Sequence, residues 1–487
     1  MPNIQYNYSK GSDTPAWQWL PFCPVISYHG ADCTYDGSRH IYYVIQYGTT
    51  ATSASTTSLL RFDTWNHGWQ FLATLTSGNR GLTITHDNIR NILIIAHGAA
   101  LTSWQIFNLN STNVVVSGVT CPPWVATTIT PVLPVAADYG ATLVTINPAD
   151  IPAIIETGIL TVGSTSTTLK DINTTTAFAD KMVGLQVRLT SGTYQGQRRY
   201  VSSVTDGSTL VVGTAFGGTP AIGDTYIVEL PQGSVTSSTT STLVDTVSSW
   251  ATNQYANSDV VIISGTGVGQ KRRIASNTGN TLTLATAVTG NANTGNWTIA
   301  PDTTSVYKIQ PSSDFLYYQP GSTSSAMYRL DLNTGSTATT WTTLASMPAA
   351  PGAGANLVWP DALGAFSLFS MRGNASANFY IYNIGTNSWV TPTWKIGVET
   401  FTTGAGSTMW DGQRKLIVQK ESTTRLYALD LSTRELEPLA TVPYANPAAY
   451  DGKRLKYVKT PDGAAWLYVL RAGGSEFFRV PLEWGTL

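Results

Sequence analysis

Apolar residues in this chain come in short runs, and polar turns separate them. Tyr35-Asp36-Gly37-Ser38-Arg39 leads into His40-Ile41-Tyr42-Tyr43-Val44, then Leu59-Leu60-Arg61-Phe62-Asp63, then Trp69-Gln70-Phe71-Leu72. Asp-Gly favours a tight reversal because both residues tolerate positive φ. The aromatic and β-branched run behind it fits a half-buried strand. The pattern predicts a turn, a strand, a second strand ending in Asp and a third opening with Trp, whose ring fills space between sheets. No apolar stripe of period 3.6 has useful length, so helices of a turn or two are the most expected.

This unit returns along the chain. A four-stranded unit repeated every ~40–50 residues is the signature of a β-propeller blade. A first blade is expected over about 24–75 and a second over about 80–118, with Val114–Ser117 as its outer strand. A third begins near Thr130 and breaks off after Ile146. The pattern resumes at Asp314–Tyr318, Ala326–Asp331 and Trp341–Leu344, which complete the third blade. A fourth follows from about 353, a fifth carries Asp411-Gly412 and a sixth Asp451-Gly452. The sixth lacks an outer strand, and Trp17–Leu20 is expected to supply it and close the ring. Six blades are expected; a seventh remains open if the interruption hides a degenerate one.

The interruption, residues 152–310, is rich in Thr, Ser, Gly and Val and carries one pattern twice. Gly196-Gln197-Arg198-Arg199-Tyr200 matches Gly269-Gln270-Lys271-Arg272-Arg273-Ile274, and Ser208–Val212 matches Asn280–Leu284, at an offset of about 73 residues. The expected fold is all-β: a six-bladed propeller in parts 1–151 and 311–487, with an inserted tandem pair of small β-barrel-like domains, repeats about 155–231 and 232–310. With its ends joined to one blade, the insertion is expected to be dispensable for propeller folding.

Charged residues make up 12% of the 487, against about 25% in an average soluble protein. The net charge of -1 gives no global basic field for nucleic acid. Cys23, Cys33 and Cys121 form neither a CxxC motif nor an even framework. Free thiols are expected, with a Cys23–Cys33 pair left open. The first twenty residues show neither a basic nor an apolar signal region, and no apolar run is long enough for a membrane span, so synthesis in a host cytoplasm is expected.

The unit Tyr-Asp-Gly, aromatic strand, Tyr/Phe-x-Leu-Asp, Trp resembles the Kelch repeats of propeller proteins, over the chain outside the insertion. It lacks the paired glycines that usually close the second strand. The inserted Gly-Gln-Arg/Lys-Arg turn and Thr-Leu-Thr/Val strand look like small β-repeats of bacteriophage virion proteins. A propeller carrying such inserts resembles the tail nozzle proteins of short-tailed bacteriophages. That resemblance implies a virion structural protein in the tail, a homo-oligomeric ring, expected as a hexamer, through which DNA passes without specific binding. It implies adaptor, portal and tail fibre or spike proteins as partners.

Enzyme chemistry finds little footing in the sequence, and a chain that is not an enzyme is expected, with no catalytic, cofactor or metal residues. Copper radical oxidases among Kelch-like propellers need a Cys–Tyr crosslink and two His ligands. The histidines here, His29, His40, His67, His86 and His97, all fall in the first two blades. The Ser-x-Asp-x-Gly-x-Thr-Trp boxes of sialidases are absent. Asp36, Asp411 and Asp451 in turns, and Asp63, Asp331 and Asp430 at strand ends, recur in equivalent places and mark scaffold, although a carboxylate pair for glycoside hydrolysis stays open. Gly265-x-Gly267-x-Gly269 has no following helix and fails the dinucleotide context.

Two sets of residues stand out for contacts. Arg198, Arg199, Lys271, Arg272 and Arg273 occupy equivalent places in the two repeats and are candidates for an anion or phosphate, or for partner carboxylates on a solvated strand. Trp65, Trp104, Trp124, Trp359 and Trp394 fall outside the repeating blade positions and are candidates for a subunit interface or a ligand. A carbohydrate- or receptor-binding module on a virion or cell surface is the alternative function, and a secreted-type propeller hydrolase a third.

Overall fold

The structure is a computed structural model. It describes residues 17–26, 31–46, 55–78, 80–98, 101–172, 182–206, 208–333, 340–360, 366–373, 378–391, 407–410, 415–419, 423–430, 436–444, 455–459, 464–471 and 473–481. The protein is all-β; helix among these residues is confined to 3-10 turns such as Pro148–Asp150. Asp411-Gly412, Asp451-Gly452, His29 and Trp394 lie outside the described residues.

Six antiparallel four-stranded sheets are found among the described residues. The first is Ala31–Tyr35, His40–Gln46, Ser55–Asp63 and Gly68–Gly78, each strand paired with the next. The second is Thr83–Asp87, Ile92–Ala96, Trp104–Asn108 and Ala126–Thr128. Thr142–Thr145 pairs with Phe315–Gln319 across the interruption, and Met327–Asp331 and Thr342–Leu344 complete the third sheet. The fourth is Asn356–Val358, Ser367–Met371, Phe379–Asn383 and Ser388–Val390; the fifth is Ser407–Trp410, Lys415–Gln419, Arg425–Asp430 and Leu436–Thr441. In the sixth, Leu455–Lys459, Ala465–Leu470 and Phe477–Pro481 are joined by Gln18–Leu20 from the other end of the chain. The six first strands neighbour one another in cyclic order, the sixth returning to the first.

Period-2 alternation explains this arrangement. The strand His40–Gln46 is apolar on both faces because it lies between two neighbouring sheets. Ile41, Tyr43 and Ile45 pack with Val458, Tyr468 and Phe477 of the sixth sheet, whereas Tyr42 and Val44 pack with Ile84, Leu93 and Phe107 of the second. Each further neighbouring pair of sheets has its own apolar core in the same way. Full burial of each such side chain is worth about 1.5–3 kcal/mol.

The outer strand of the second sheet differs from expectation. Val114–Val116 folds back on Val119–Cys121 as a separate hairpin, and Ala126–Thr128 takes the sheet edge. Ser117 and Gly118 both have positive φ (48° and 76°), the geometry of a two-residue hairpin turn. The buried Asn108 amide donates to the carbonyls of Thr112 and Cys121, each at 2.8 Å, and so fastens the base of the hairpin.

Residues of the interruption form two sheets of like strand order. In the first unit the order is Glu156–Ile159, Thr225–Glu229, Gln186–Leu189, Arg198–Asp206, Thr209–Val212, Thr168–Lys170. In the second it is Gln232–Ser234, Val306–Pro311, Ser258–Ser264, Lys271–Asn277, Thr281–Leu284, Thr242–Val244, with Ser237–Ser238 added at the edge. Detail repeats as well: Tyr226 donates to Asp171 Oδ2 at 3.0 Å, and Tyr307 donates to Asp245 Oδ2 at 2.7 Å.

The expectation that the insertion is dispensable is corrected by its packing. One continuous core joins Leu185, Tyr226, Tyr255, Trp250 and Tyr307 of the units to Phe315, Tyr317, Phe366 and Tyr382 of the third and fourth sheets. The rings of Tyr255 and Phe366 lie 5.3 Å apart, centroid to centroid. A short linker would leave these side chains of the third and fourth sheets in water.

Candidate functional site

The five basic residues are held by the scaffold around them. Arg198 Nε lies 3.2 Å from Glu229 Oε1, which Arg188 also reaches at 3.1 Å. Arg199 and Arg272 do the same work in the two units. Each donates Nε to a backbone carbonyl, of Ala215 and Asn296 respectively, at 2.8 Å. Each also donates to the carbonyl of its preceding residue and lies over a ring, Phe216 or Trp297. Lys271 Nζ is 3.5 Å from Asp259 Oδ2. Arg273 reaches Asp314 and Asp331, each at 2.5 Å, and is buried. The side chains that recur at one register position therefore stitch loops and strands together.

Of the tryptophans, Trp104 and Trp359 are buried, and Trp104 donates its indole N–H to Pro131 O at 2.8 Å. A surface role for these two is corrected: the apolar area between sheets has taken their rings. Trp65 and Trp124 are exposed, at 57% and 47%. The Arg39 guanidinium lies 5.1 Å from the Trp65 ring centre and that of Arg61 lies 5.9 Å from Trp124. Each ring has a cation on one side, a contact worth ~0.5–1 kcal/mol at an exposed site. Trp65 follows Asp63 in the turn between third and fourth strands, and Trp124 N donates to Asn108 O at the corresponding end of the second sheet. Both rings thus stand at the end of the sheets from which the interruption leaves the third.

A second aromatic surface was not singled out in the sequence. Trp19 (41% exposed) makes edge contacts with Phe22, Tyr444 and Phe478, and Arg471 lies 4.1 Å from the Tyr444 ring centre. Trp19 sits in the terminal strand, where a repeating position suggested core. The signal that could have found it is alternation: Leu20 points inward, so Trp19 points out.

The acidic turns are structural. Asp36 Oδ1 accepts the backbone N–H groups of Ser38, Arg39 and His40, and these outweigh burial to hold its carboxyl below the usual range. Burial raises the Asp63 carboxyl, but the Arg39 side chain and the N–H groups of Asn66 and Trp65 bring it well below that range. Burial lowers His97 to about 4. All three cysteines are buried and none is in a disulfide, and burial pushes the Cys23 thiol up to about 12 and Cys121 to about 11. No group of three or more His, Cys, Asp or Glu suited to a metal ion occurs among the described residues. No helix among them is long and apolar enough to cross a membrane.

No family model matches the chain, and no curated protein does. Many solved structures are similar to it, three of them as follows. YjhT is 18% identical over 36% of this chain and 61% of its own, with a TM-score of 0.27, so the chain spans less than two thirds of that structure. A fungal alcohol oxidase of the AA5 family, in complex with copper, is 10% identical over 96% of this chain and 77% of its own, at 0.40. The mitotic checkpoint complex is 8% identical over 99% and 96%, at 0.36. The expectation that the chain is not an enzyme is withdrawn, because an alcohol oxidase stands among these structures. At such identity and TM-score the likeness assigns no activity or copper site to this chain.

Proposed function

We propose that the chain is a six-bladed β-propeller with two small β-barrel-like domains inserted in its third blade, and that it serves as a structural part of a bacteriophage tail, in the ring of a nozzle or hub. The observation that carries this reading is the shared core of the inserted pair with the third and fourth sheets. A shared core would keep the inserted pair seated on the propeller when copies pack side by side around an axis. Low charge and basic residues occupied by carboxylates and carbonyls agree with a wall that lets DNA slide past. The Kelch-like turns and the virion-like repeats support the same reading. The test is electron microscopy of the purified chain mixed with adaptor and portal proteins. Closed rings are the expected result, and a chain that stays monomeric with every virion partner would overturn it.

A second reading, a carbohydrate-binding module, is favoured by the exposed rings of Trp65 and Trp124. Sugar faces stack on such rings. Glycan-array binding lost in Trp65→Ala with Trp124→Ala would support it.

A further inference from the structure

The two units share one scaffold, so each serves as a control for the other. Gln186 pairs in register with Tyr200 in the first unit, and Asp259 pairs with Arg273 in the second. In the first unit the position is a neutral amide, whose Nε2 donates to Gln232 O at 3.0 Å and whose Oε1 accepts Gln232 N–H at 3.2 Å. The fold therefore does not demand a charge there. The second unit nonetheless buries a carboxylate completely at this point, where it meets the third sheet.

The groups facing Asp259 come from several elements. Lys271 and Arg273 belong to the adjacent strand. Ser312 and Asp314 follow the strand Val306–Pro311, and the Tyr317 hydroxyl faces Asp259 from the third sheet. Asp331 ends the next strand of that sheet and shares Arg273 with Asp314. Asn291 donates to Asp314 and Asp331, and Asn293 and Asn333 donate to Asp314. Arg329 also faces the site: its guanidinium, like that of Arg273, lies 4.2 Å from the Phe315 ring centre, and it acts on Tyr317. Cations and carboxylates therefore balance in number, and the shortage is local to Asp259, whose two buried oxygens accept no hydrogen bond among the described residues. Asp314 and Asp331 have the amides and the guanidinium. Among the described residues, Asp259 has only the Lys271 ammonium, at 3.5 Å, as its ion-pair partner. An uncompensated buried charge is costly, and a proton removes it.

We propose that this cluster is a proton-operated latch between the second inserted unit and the third sheet, tight when Asp259 carries a proton and loosened when it is ionised. Burial, with Asp314 adding to it and Lys271 and Arg273 opposing, pushes the Asp259 carboxyl up to about 6. Its folded-state value stands above the unfolded one, so its contribution to stability is complete at low pH and is lost as the pH rises through about 6. The latch is set to respond between about pH 4, where the unfolded carboxyl ionises, and about pH 6.

Thermal unfolding of the full chain and of Asp259→Asn between pH 4 and pH 8 tests this. The amide imitates the protonated acid. The variant should come close to the native chain near pH 4 and melt at a higher temperature at pH 8. A difference that does not change with pH, or a variant that melts lower at pH 8, would overturn the proposal. Hydrogen exchange of the native chain, corrected for intrinsic rates, gives a second measurement if the variant fails to fold. Ser258–Ser264 and Val306–Pro311 should open several-fold more readily at pH 8 than at pH 5, while their counterparts Gln186–Leu189 and Thr225–Glu229 do not change. Equal changes in both units would also overturn it.

Discussion

The indole of Trp389 donates its N–H to the carbonyl of Ala345, 2.8 Å away, and so ties the outer strand of the fourth sheet to the chain leaving the outer strand of the third. Trp69 reaches Pro21 O at 2.9 Å and Trp17 reaches Thr441 O at 2.8 Å in the same manner, from the first sheet to the sixth and from the sixth to the fifth. The repeated Trp is therefore a rivet between sheets as well as a space filler. Trp389→Phe keeps most of the apolar area and removes the donor. A loss of about 1 kcal/mol is expected in chemical denaturation. An unchanged midpoint would show that the bond contributes nothing.

A Cβ at Gly158 would run into Asp171 Oδ2 and the Tyr226 hydroxyl, and one at Gly233 would meet Asp245 Oδ2 and the Tyr307 hydroxyl. Neither residue is needed for backbone conformation, since neither has positive φ. Gly158→Ala and Gly233→Ala should each cost about 1–3 kcal/mol by overpacking. Similar losses in both would follow from one scaffold used twice; a silent change in either would show that its Tyr–Asp pair yields freely.

Strand positions were legible where period-2 alternation and turn chemistry agree: His40–Gln46, Phe379–Asn383 and Lys415–Gln419 fall where the apolar runs stand. The hairpin at Ser117-Gly118 was not, because Val114–Ser117 has the composition of any outer strand and its pairing rests on the amide of Asn108. Nor was the docking of the insertion. Tyr200 and Arg273 match in the alignment of the repeats, but Tyr200 donates to Gln254 of the other unit at 3.1 Å, whereas Arg273 binds carboxylates of the third sheet. Partners so distant in sequence leave no local pattern. Trp104 carried no sign of burial because an irregular position is equally compatible with core and surface.

Arg273→Ala should be far more damaging than Tyr200→Phe. The first leaves the buried Asp314 and the half-buried Asp331 without their guanidinium, a loss of about 3–5 kcal/mol. The second removes a single neutral hydrogen bond, about 1 kcal/mol. Equal costs in equilibrium unfolding would mean that the cluster has other compensation. Replacing 152–309 by a Gly/Ser linker should give an aggregating product, because Phe366 and Tyr382 would be uncovered. A soluble chain with cooperative melting would count against that.

Acid should weaken the first two sheets in two steps. His97 is held neutral by burial, its value lowered to about 4 from 6.5. Its contribution is present above about pH 6.5 and is lost as the pH falls toward about 4. Asp36 and Asp63 are also lowered, so theirs persists to about pH 4 and is lost below. His97→Gln should flatten the upper part of the melting-temperature curve and Asp63→Asn the lower part. Because Asp259 acts in the opposite sense between pH 4 and 6, each curve is best read as a difference from the native chain.

The last prediction concerns DNA. A protein that grips duplex DNA releases counterions for each phosphate it neutralises, and its affinity falls steeply with salt. Such contacts need cations free to leave their present partners. Here Arg198 shares Glu229 with Arg188, Lys271 faces Asp259, and Arg273 is buried between two aspartates. Arg199 and Arg272 are spent on backbone carbonyls. Moving Lys271, Arg273, Arg199 or Arg272 to a phosphate would take a donor from a carboxylate or carbonyl, and moving Arg198 would leave Glu229 to Arg188 alone. Negligible duplex affinity at physiological salt is therefore expected in fluorescence anisotropy, and Arg198→Ala with Arg272→Ala should change it little. Sub-micromolar, salt-sensitive binding abolished by that double substitution would show instead that the repeats clamp DNA, and a passage without grip would have to be given up.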